Sequence, residues 1–335
     1  MLDRIKVPLG AKLSEWADWR AFNRDGRRYF DQVQAGQDVN SMFRSLVKIV
    51  ELEPHGYCNR LCRFCGNSTI DRRSVLNKMP DEVFGSILNT LATVQFTGQI
   101  RFARYSEPLA SPTVFPMIEL ARLACPDAEL MIISNGDFLT KESLGRLSSC
   151  GLNRLHVSIY LPAKEKWSVA RASHFARKFL KRIGAEVNYE TYGDSRIEGT
   201  VDHPNLFITY NSVDYDEVGV FREGKNQVVS DSFARHDPCK LVFYNVTIDY
   251  DGAVVPCCNV RSDSPNQKNM VFGKIGVDGS LLDIWNNHIA LSWRKPLFSF
   301  GPHGAPCNTC RQSTASRPLA PIVKAFWKTR PDIKT

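Results

Sequence analysis

All but two of the ten cysteines in this 335-residue chain lie in two groups, and the first group has the spacing of a metal site. Cys58, Cys62 and Cys65 follow the pattern C-x3-C-x2-C in a loop after the first predicted strand. Structural zinc usually takes four ligands, and no fourth cysteine or adjacent histidine completes this set locally. Three thiolates instead suit a [4Fe-4S] cluster whose fourth iron can bind a further ligand.

The second group supplies four thiolates from one C-terminal segment, at Cys239, Cys257, Cys307 and Cys310. Four thiolates fit either one fully ligated [4Fe-4S] cluster or a structural zinc ion, and both interpretations stand at this point. Cys258 could be buried, or it could replace its neighbour Cys257 as a ligand. Cys125 and Cys150 stand alone on predicted helices, which indicates core positions.

The composition argues against several classes of protein. No run approaches the roughly 18 apolar residues of a membrane span, and the N-terminus lacks an apolar stretch ending in a cleavage site. We therefore expect a cytoplasmic protein without a membrane partner, whose cysteines serve metal binding rather than disulfides. The net charge of +8 is spread along the chain, apart from a basic tail. A solvated surface without a nucleic-acid partner is expected, with an acidic substrate as the alternative.

Short apolar runs alternate with amphipathic segments from residue 46 onward. Strands are predicted at 47–54, 100–105, 129–135 and 152–160, and helices at 80–94, 112–124 and 164–184. Such repetition implies an α/β fold with parallel strands joined by right-handed crossovers. After residue 184, AEVNYETY and NLFITY are candidates for strands five and six, but the segment between them is too short for a full helix. We expect a partial (β/α)6-type barrel with an irregular far edge.

Two further segments flank the predicted barrel. The first is an N-terminal helical extension, interrupted at Gly26 and packed on the main domain, with one apolar face made of Leu13, Trp16, Trp19 and Phe22. The second is a small α+β domain held together by its cysteines, with a hairpin turn at Asp251-Gly252 and a helix over 281–293. The predicted division is 1–45, 46–230, 236–315 and a basic tail at 316–335.

Polar residues follow three of the predicted strands. Tyr105-Ser106-Glu107-Pro108 comes after the second strand, Ser134-Asn135-Gly136 after the third, and Ser158 ends the fourth. The carboxyl ends of parallel strands meet at one edge, where barrels build their active sites. Each residue also has a structural explanation, since Glu107 could cap a helix, Asn135 could serve a turn and Ser158 could satisfy backbone groups. Their positions on successive strand ends, after three cysteines, favour a shared site.

These motifs resemble the radical S-adenosylmethionine (SAM) superfamily, whose members carry the same C-x3-C-x2-C loop with an aromatic residue before the third cysteine. Phe64 has that position. The resemblance covers residues 46–165 and implies that the open cluster binds SAM. It further implies SAM contacts from Phe64, Ser106, Glu107, Asn135 and Ser158, with Glu107 binding the methionine amino group. Two glycines of the family pattern are replaced by Tyr105 and Ser106, which puts the local backbone in doubt.

The second cysteine group resembles the twitch domain, a shortened SPASM domain that holds one auxiliary [4Fe-4S] cluster. This resemblance implies two [4Fe-4S] clusters in all, with SAM as cofactor and a flavodoxin- or ferredoxin-type protein as external one-electron donor. The layout of core and cysteines is similar to that of dehydrogenases acting on 2-deoxy-scyllo-inosamine.

The resemblance predicts an enzyme that cleaves SAM reductively to a 5′-deoxyadenosyl radical, which abstracts a hydrogen atom from a small polar natural-product intermediate. A sugar, cyclitol or nucleoside is expected, and oxidation, epimerisation and carbon–carbon bond formation are all compatible with the motifs. Cys258 is a candidate hydrogen-atom donor for epimerisation. The alternatives are a maturase that modifies a ribosomally made peptide and a non-catalytic iron–sulfur electron carrier, for which the SAM-contact residues would be superfluous.

Overall fold

The computed structural model describes residues 9–162, 165–218 and 234–310. The predicted basic tail and the end of the predicted barrel, 219–230, lie outside the described residues. The helices are α1 (Leu9–Gln34), α2 (Val39–Leu46), α3 (Asp81–Thr93), α4 (Val114–Ala124), α5 (Lys141–Ser149), α6 (Val169–Ile183), α7 (Tyr215–Val218), α8 (Leu241–Tyr244), α9 (Leu281–Trp285) and α10 (His288–Phe298). The strands are β1 (Ile49–Leu52), β2 (Gln99–Phe102), β3 (Glu129–Ser134), β4 (Arg154–Ser158), β5 (Val187–Gly193), β6 (Arg196–Val201), β7 (Phe207–Val213), β8 (Asn245–Ile248), β9 (Ala253–Val255) and β10 (Gly273–Lys274).

The strands form one sheet in the order β10-β9-β8-β1-β2-β3-β4-β7-β6-β5. Six neighbouring strands, in the order β8-β1-β2-β3-β4-β7, pair in parallel. Antiparallel strands extend the sheet at both ends. The edge strands β10 and β5 do not pair with each other, so the sheet stays open. The α/β class and the partial barrel are confirmed.

The two faces of the sheet differ in polarity because side chains alternate along a strand. In β1, Val50 and Leu52 are fully buried in the hydrophobic core, while Glu51 between them lines an internal cavity. The apolar face is covered by helices such as α3, whose buried residues are Val83, Phe84, Ile87, Leu88 and Leu91. The inner face of the barrel therefore carries polar groups.

The far edge of the barrel differs from the prediction in its connections. The predicted fifth strand, β5, pairs antiparallel with β6, and it is β7 that lies parallel to β4. Only Asp194 and Ser195 separate β5 from β6, which makes a tight hairpin and leaves no room for a crossover. Strand β6 was not predicted. Its Gly199 pairs with Tyr210 of β7, and a Cβ at position 199 would lie 2.3 Å from the Tyr210 ring, so the ring needs a glycine there.

The C-terminal cysteine segment joins the main sheet through β8, which pairs in parallel with β1. The predicted hairpin is present, with Gly252 at φ +85° between β8 and β9. The apolar segment Leu241–Tyr244, which directly precedes β8, forms the short helix α8. The single helix predicted over 281–293 is two helices, because Asn287 caps a new helix by accepting a hydrogen bond from Ala290 N at 2.8 Å.

The N-terminal helix α1 runs through Gly26 without the predicted interruption. Gly26 faces the ring of Phe298, whose Cε2 would be 2.2 Å from an added Cβ, so glycine permits close approach rather than a break. The ring of Phe22 lies 5.4 Å from that of Phe243, and Tyr29 lies 5.6 Å from Trp285. These contacts place α1 on the C-terminal cysteine segment. No described helix combines the length and the apolar character needed to cross a bilayer.

Candidate active site

The first cysteine group and the residues predicted to contact SAM surround one cavity of about 400 Å³ at the carboxyl ends of the parallel strands. Its lining includes Cys58, Cys62, Phe64, Cys65, Ser106, Glu107, Asn135 and Ser158. The structure thus brings together groups that lie up to a hundred residues apart in the chain. Glu51 and His156 from the inner face of the sheet line the same space.

Polar contacts with the segment after β3 hold the cysteine loop in place. The Arg60 guanidinium donates two hydrogen bonds to the Asp137 carboxylate, both at 2.6 Å. Asn59 donates to the same carboxylate at 2.7 Å and accepts from the Asn135 side chain at 2.8 Å. Asn135 Oδ1 also accepts from the Asp137 backbone N–H, which is the turn contact expected of an Asn before glycine. Asn135 therefore serves the turn and lines the cavity as well.

Glu107 is buried and its carboxylate is held by three donors. It accepts hydrogen bonds from Asn135 N at 2.6 Å, Ser134 Oγ at 2.7 Å and Leu109 N at 3.1 Å. Burial nevertheless raises the pKa of Glu107 to about 7. A buried carboxylate that lines a cavity and is only partly charged at neutral pH is suited to receive a cationic or hydrogen-bond-donating group.

The three thiols of the first group occupy a crowded, partly buried environment. Burial raises the pKa of Cys58 to about 11, and burial followed by the charge of Cys65 raises that of Cys62 to about 12. The thiols of Cys58 and Cys62 therefore ionise with difficulty unless a metal replaces the proton. The ring of Phe64 stacks on Tyr215 at 3.9 Å and shields the loop from one side.

The second group also brings its predicted cysteines together. Burial raises the pKa of Cys257, and the neighbouring Cys258, Cys239 and Cys307 raise it further. Burial likewise raises the pKa of Cys307 to about 12, and Cys239 and Cys310 add to that shift. The Asn259 side chain donates to Cys310 Sγ at 3.8 Å. Cys258 is half-buried beside Cys257 and is not among the described residues that line the cavity of the first group.

The arrangement of the thiols bears on the choice between zinc and a cluster. In the described ranges, no three His, Cys, Asp or Glu side chains are placed so that they could share a single metal ion. A zinc site draws its sulfurs to about 2.3 Å from one point. A cluster gives each cysteine its own iron, so its thiolates surround a larger volume. The all-thiol donor sets are of the kind that iron–sulfur clusters take.

Buried ion pairs link the two cysteine regions, and the sequence analysis did not find them. Arg104 pairs with Asp249 and donates to the backbone oxygen of Cys257 at 3.4 Å. Arg72 pairs with Glu53 at 2.6 Å, and both side chains are fully buried. The sequence signal was a charged residue, Arg104, between Ala103 and Tyr105 just after β2.

The aromatic ring of Tyr105, which replaces a family glycine, packs among three buried guanidinium groups. Its centroid lies 5.7 Å from Arg72, 5.2 Å from Arg104 and 4.5 Å from Arg261. Its backbone N–H donates to Glu53 at 3.1 Å. The Tyr105 ring thus fills space among the buried ion pairs, which explains why glycine is not required at this position.

Comparisons with known proteins agree with this arrangement. Residues 52–192 match the Radical SAM superfamily, and residues 239–311 match SPASM, an iron–sulfur cluster-binding domain. The chain is 27% identical over 252 residues to the S-adenosyl-L-methionine-dependent 2-deoxy-scyllo-inosamine dehydrogenase of Niallia circulans, covering 75% of this chain and 87% of that protein.

Two crystal structures of BtrN show a similar fold. The complex with AdoMet and 2-DOIA has a TM-score of 0.52 at 22% identity and covers 76% of this chain and 88% of that chain. An open conformation has a TM-score of 0.53 at 22% identity, and the match covers 80% of this chain and 93% of that chain. The radical SAM match implies SAM and a [4Fe-4S] cluster, and the SPASM match implies an auxiliary cluster. The chain is therefore an enzyme of the radical SAM superfamily that carries a SPASM-type cluster domain.

Proposed function

We propose that this enzyme oxidises a carbinol carbon of a small cyclitol to a ketone. The observation that carries this proposal is the polar cavity shared by the first cysteine group, Glu107 and the inner face of the sheet. Its volume lies in the range of small-molecule sites, and its polar wall suits a hydroxylated ring. The relative from Niallia circulans, named as a dehydrogenase of 2-deoxy-scyllo-inosamine, supports the same substrate class.

Each predicted residue has a place in this proposal. Cys58, Cys62 and Cys65 would hold the open cluster, which with SAM supplies the 5′-deoxyadenosyl radical. Glu107 would accept hydrogen bonds from the methionine amino group. The remaining proposed contacts with the cofactor come from Phe64, Ser106, Asn135 and Ser158. The loop contacts of Arg60 with Asp137 would orient the cysteines, and the stacked aromatic rings would keep water from the radical.

The reaction requires that the substrate lose one hydrogen atom, one electron and one proton. The hydrogen atom leaves the carbinol carbon, and loss of the hydroxyl proton and the remaining electron then gives the ketone. Cys239, Cys257, Cys307 and Cys310 would hold an auxiliary cluster able to accept that electron. The position of Cys258 outside the cavity lining supports oxidation over epimerisation by thiol quenching. A flavodoxin- or ferredoxin-type donor in the cytoplasm would provide the initial reducing electron.

The predicted division of the chain is kept as part of this proposal. The barrel at 46–230 would bind SAM and substrate, and the segment at 236–315 would bind the auxiliary cluster. Their shared sheet supports direct electron transfer between the substrate and that cluster.

Isotope transfer tests the proposed function. The reconstituted enzyme, supplied with SAM, dithionite and cyclitols deuterated at each carbinol carbon, should transfer deuterium from one position into 5′-deoxyadenosine and yield the ketone. Mass spectrometry of both products measures this. Formation of 5′-deoxyadenosine without deuterium from any cyclitol would point to another substrate, such as a peptide. Absence of 5′-deoxyadenosine altogether would indicate an electron carrier.

SAM binding should depend on pH through Glu107. Since burial raises its pKa to about 7 and only the carboxylate accepts both amino hydrogens, SAM affinity should fall as pH drops through about 7. The loss should approach about tenfold per pH unit below that point. Glu107→Gln should bind SAM more weakly and show little pH dependence. Burial lowers the pKa of nearby His55, so this ring stays neutral in the same window. An equally pH-sensitive Glu107→Gln variant would contradict this role.

A further inference from the structure

Arg235 is a buried residue that contacts two of the segments carrying the second cysteine group, and it is only 2% exposed. Its Nε donates to the backbone oxygen of Asp237 at 2.8 Å, and its Nη2 donates to that of Pro238 at 2.7 Å. Its backbone N–H donates to the backbone oxygen of Asn308 at 2.7 Å. Pro238 directly precedes Cys239, and Asn308 lies between the last two cysteines of the chain. The guanidinium is therefore held beside the thiols of this group.

The charge of Arg235 acts on two of these thiols. Burial raises the pKa of Cys239, and the charge of Arg235 is the largest of the influences that oppose this rise. Burial, Cys239 and Cys310 raise the pKa of Cys307, and Arg235 again acts in the opposite direction. A positive charge that favours thiolates over thiols also favours negative charge added to the metal centre that the thiolates hold.

The hydrogen bonds described for Arg235 fix its position but do not cancel its charge, because backbone carbonyl oxygens carry no net charge. A guanidinium also keeps its proton in proteins, so the charge is permanent. Arg104 differs in this respect. It donates to the backbone oxygen of Cys257, but its own charge is balanced by the buried carboxylate of Asp249.

Hydrogen-bond donors around the same thiols act in the same direction as Arg235. The Asn259 side chain donates to Cys310 Sγ at 3.8 Å. The backbone N–H groups of Leu241 and Val242 also oppose the rise that burial causes in the pKa of Cys239. Net charge and hydrogen bonds to the sulfurs are among the properties that set the reduction potential of an iron–sulfur cluster. Both properties favour the reduced state here.

We infer that Arg235 raises the reduction potential of the auxiliary cluster and thereby favours transfer of the substrate's electron to it. Reduction adds one negative charge to the cluster and its four thiolates, and a buried guanidinium stabilises that charge. The effect on the potential is independent of the proposed function, whereas the effect on electron transfer rests on it. Arg235 is not among the described residues that line the cavity, so it acts through the cluster as a positioning residue.

The electron count of the proposed oxidation shows where this effect enters. The substrate radical, after losing its hydroxyl proton, gives up one electron and becomes the ketone. The auxiliary cluster gains that electron, and an oxidised flavodoxin- or ferredoxin-type protein would then accept it. Removing the positive charge makes the electron gain less favourable and leaves the preceding hydrogen abstraction unchanged.

A redox titration of the enzyme with both clusters, followed by electron paramagnetic resonance, tests the inference. The auxiliary signal is the one that persists when Cys62 is replaced with alanine. In Arg235→Gln the equilibrium constant for reducing this cluster should fall at least about tenfold, which lowers the midpoint potential by about 59 mV. Arg235→Lys, which keeps the charge, should stay within about threefold of the wild type.

Arg122→Gln is the matched control for the redox titration. The Arg122 guanidinium also donates to backbone carbonyl oxygens, those of Gly151 and Ala128, and its hydrogen bonds involve neither cysteine group. This variant should keep the wild-type potential. An unchanged potential in Arg235→Gln overturns the inference, and so does an equal fall in Arg235→Lys. Loss of the auxiliary iron from Arg235→Gln also overturns it, because the residue would then serve cluster assembly.

Product ratios separate this inference from the proposed function. With a deuterated cyclitol, Arg235→Gln should still transfer deuterium into 5′-deoxyadenosine but yield less ketone per 5′-deoxyadenosine than the wild type. An unchanged ratio despite a lowered potential overturns the role of Arg235 in electron transfer. If the potential falls as expected while the wild type forms no ketone from any cyclitol, the proposed function is wrong and the effect of Arg235 on the cluster stands.

Discussion

Replacing Cys58, Cys62 or Cys65 with alanine should reduce SAM cleavage by at least about a thousandfold, because the radical source depends on the open cluster. The iron content should fall by about half, since the second group is untouched. Reconstituted variants incubated with SAM and dithionite, with 5′-deoxyadenosine measured by mass spectrometry, provide the test.

Cys150→Ala is the control for the first prediction. Cys150 is buried in the helical layer, and its thiol donates to Glu119 at 3.0 Å, away from both cysteine groups. This variant should keep its full iron content and SAM cleavage. If Cys58→Ala, Cys62→Ala or Cys65→Ala cleaved SAM at nearly the wild-type rate, these three thiols would not be the ligands of the cluster that cleaves SAM.

Replacing Arg104 with methionine should destabilise the enzyme by about 3–5 kcal/mol, because Asp249 is left charged and fully buried without its partner. The contact of Arg104 with the backbone of Cys257 is lost as well. Thermal unfolding of the reconstituted enzyme should shift down by roughly 10 °C. The spectrum of the auxiliary cluster should also change, because one of its proposed ligands loses a positioning contact.

A double variant separates the ion pair from general packing. Arg104→Met combined with Asp249→Leu removes both charges and should recover most of the lost stability. Arg24→Met removes an exposed ion pair and should cost less than about 1 kcal/mol. If Arg104→Met alone were as mild as Arg24→Met, the buried pair would not stabilise the junction between the two cysteine regions.

The signals for the candidate site could be read from the sequence because they are local. Cysteine spacing and polar residues at strand ends follow from a few consecutive residues, and the parallel sheet then brings Cys58, Glu107 and Asn135 to one cavity. The helix predicted over 80–94 is present as α3 for the same reason, since its apolar periodicity lies within one segment.

The features that sequence analysis missed depend on long-range contacts. Strand β6 exists because the hairpin after Gly193 pairs it with β5, and Gly26 stays helical because Phe298 packs against it. The pairing of Arg104 with Asp249 joins residues 145 positions apart. Nothing in either local sequence identifies its partner, because burial and pairing of charges are properties of the assembled sheet.

The most direct test of the central claim is whether SAM binds to the cluster of the first cysteine group. SAM labelled with nitrogen-15 in its amino group and oxygen-17 in its carboxylate should show hyperfine coupling to the reduced cluster in electron–nuclear double resonance. We expect both couplings in the wild type, and none when Cys62 is replaced with alanine. A wild-type cluster spectrum that shows no coupling to either label, and does not change when SAM is added, would contradict the account.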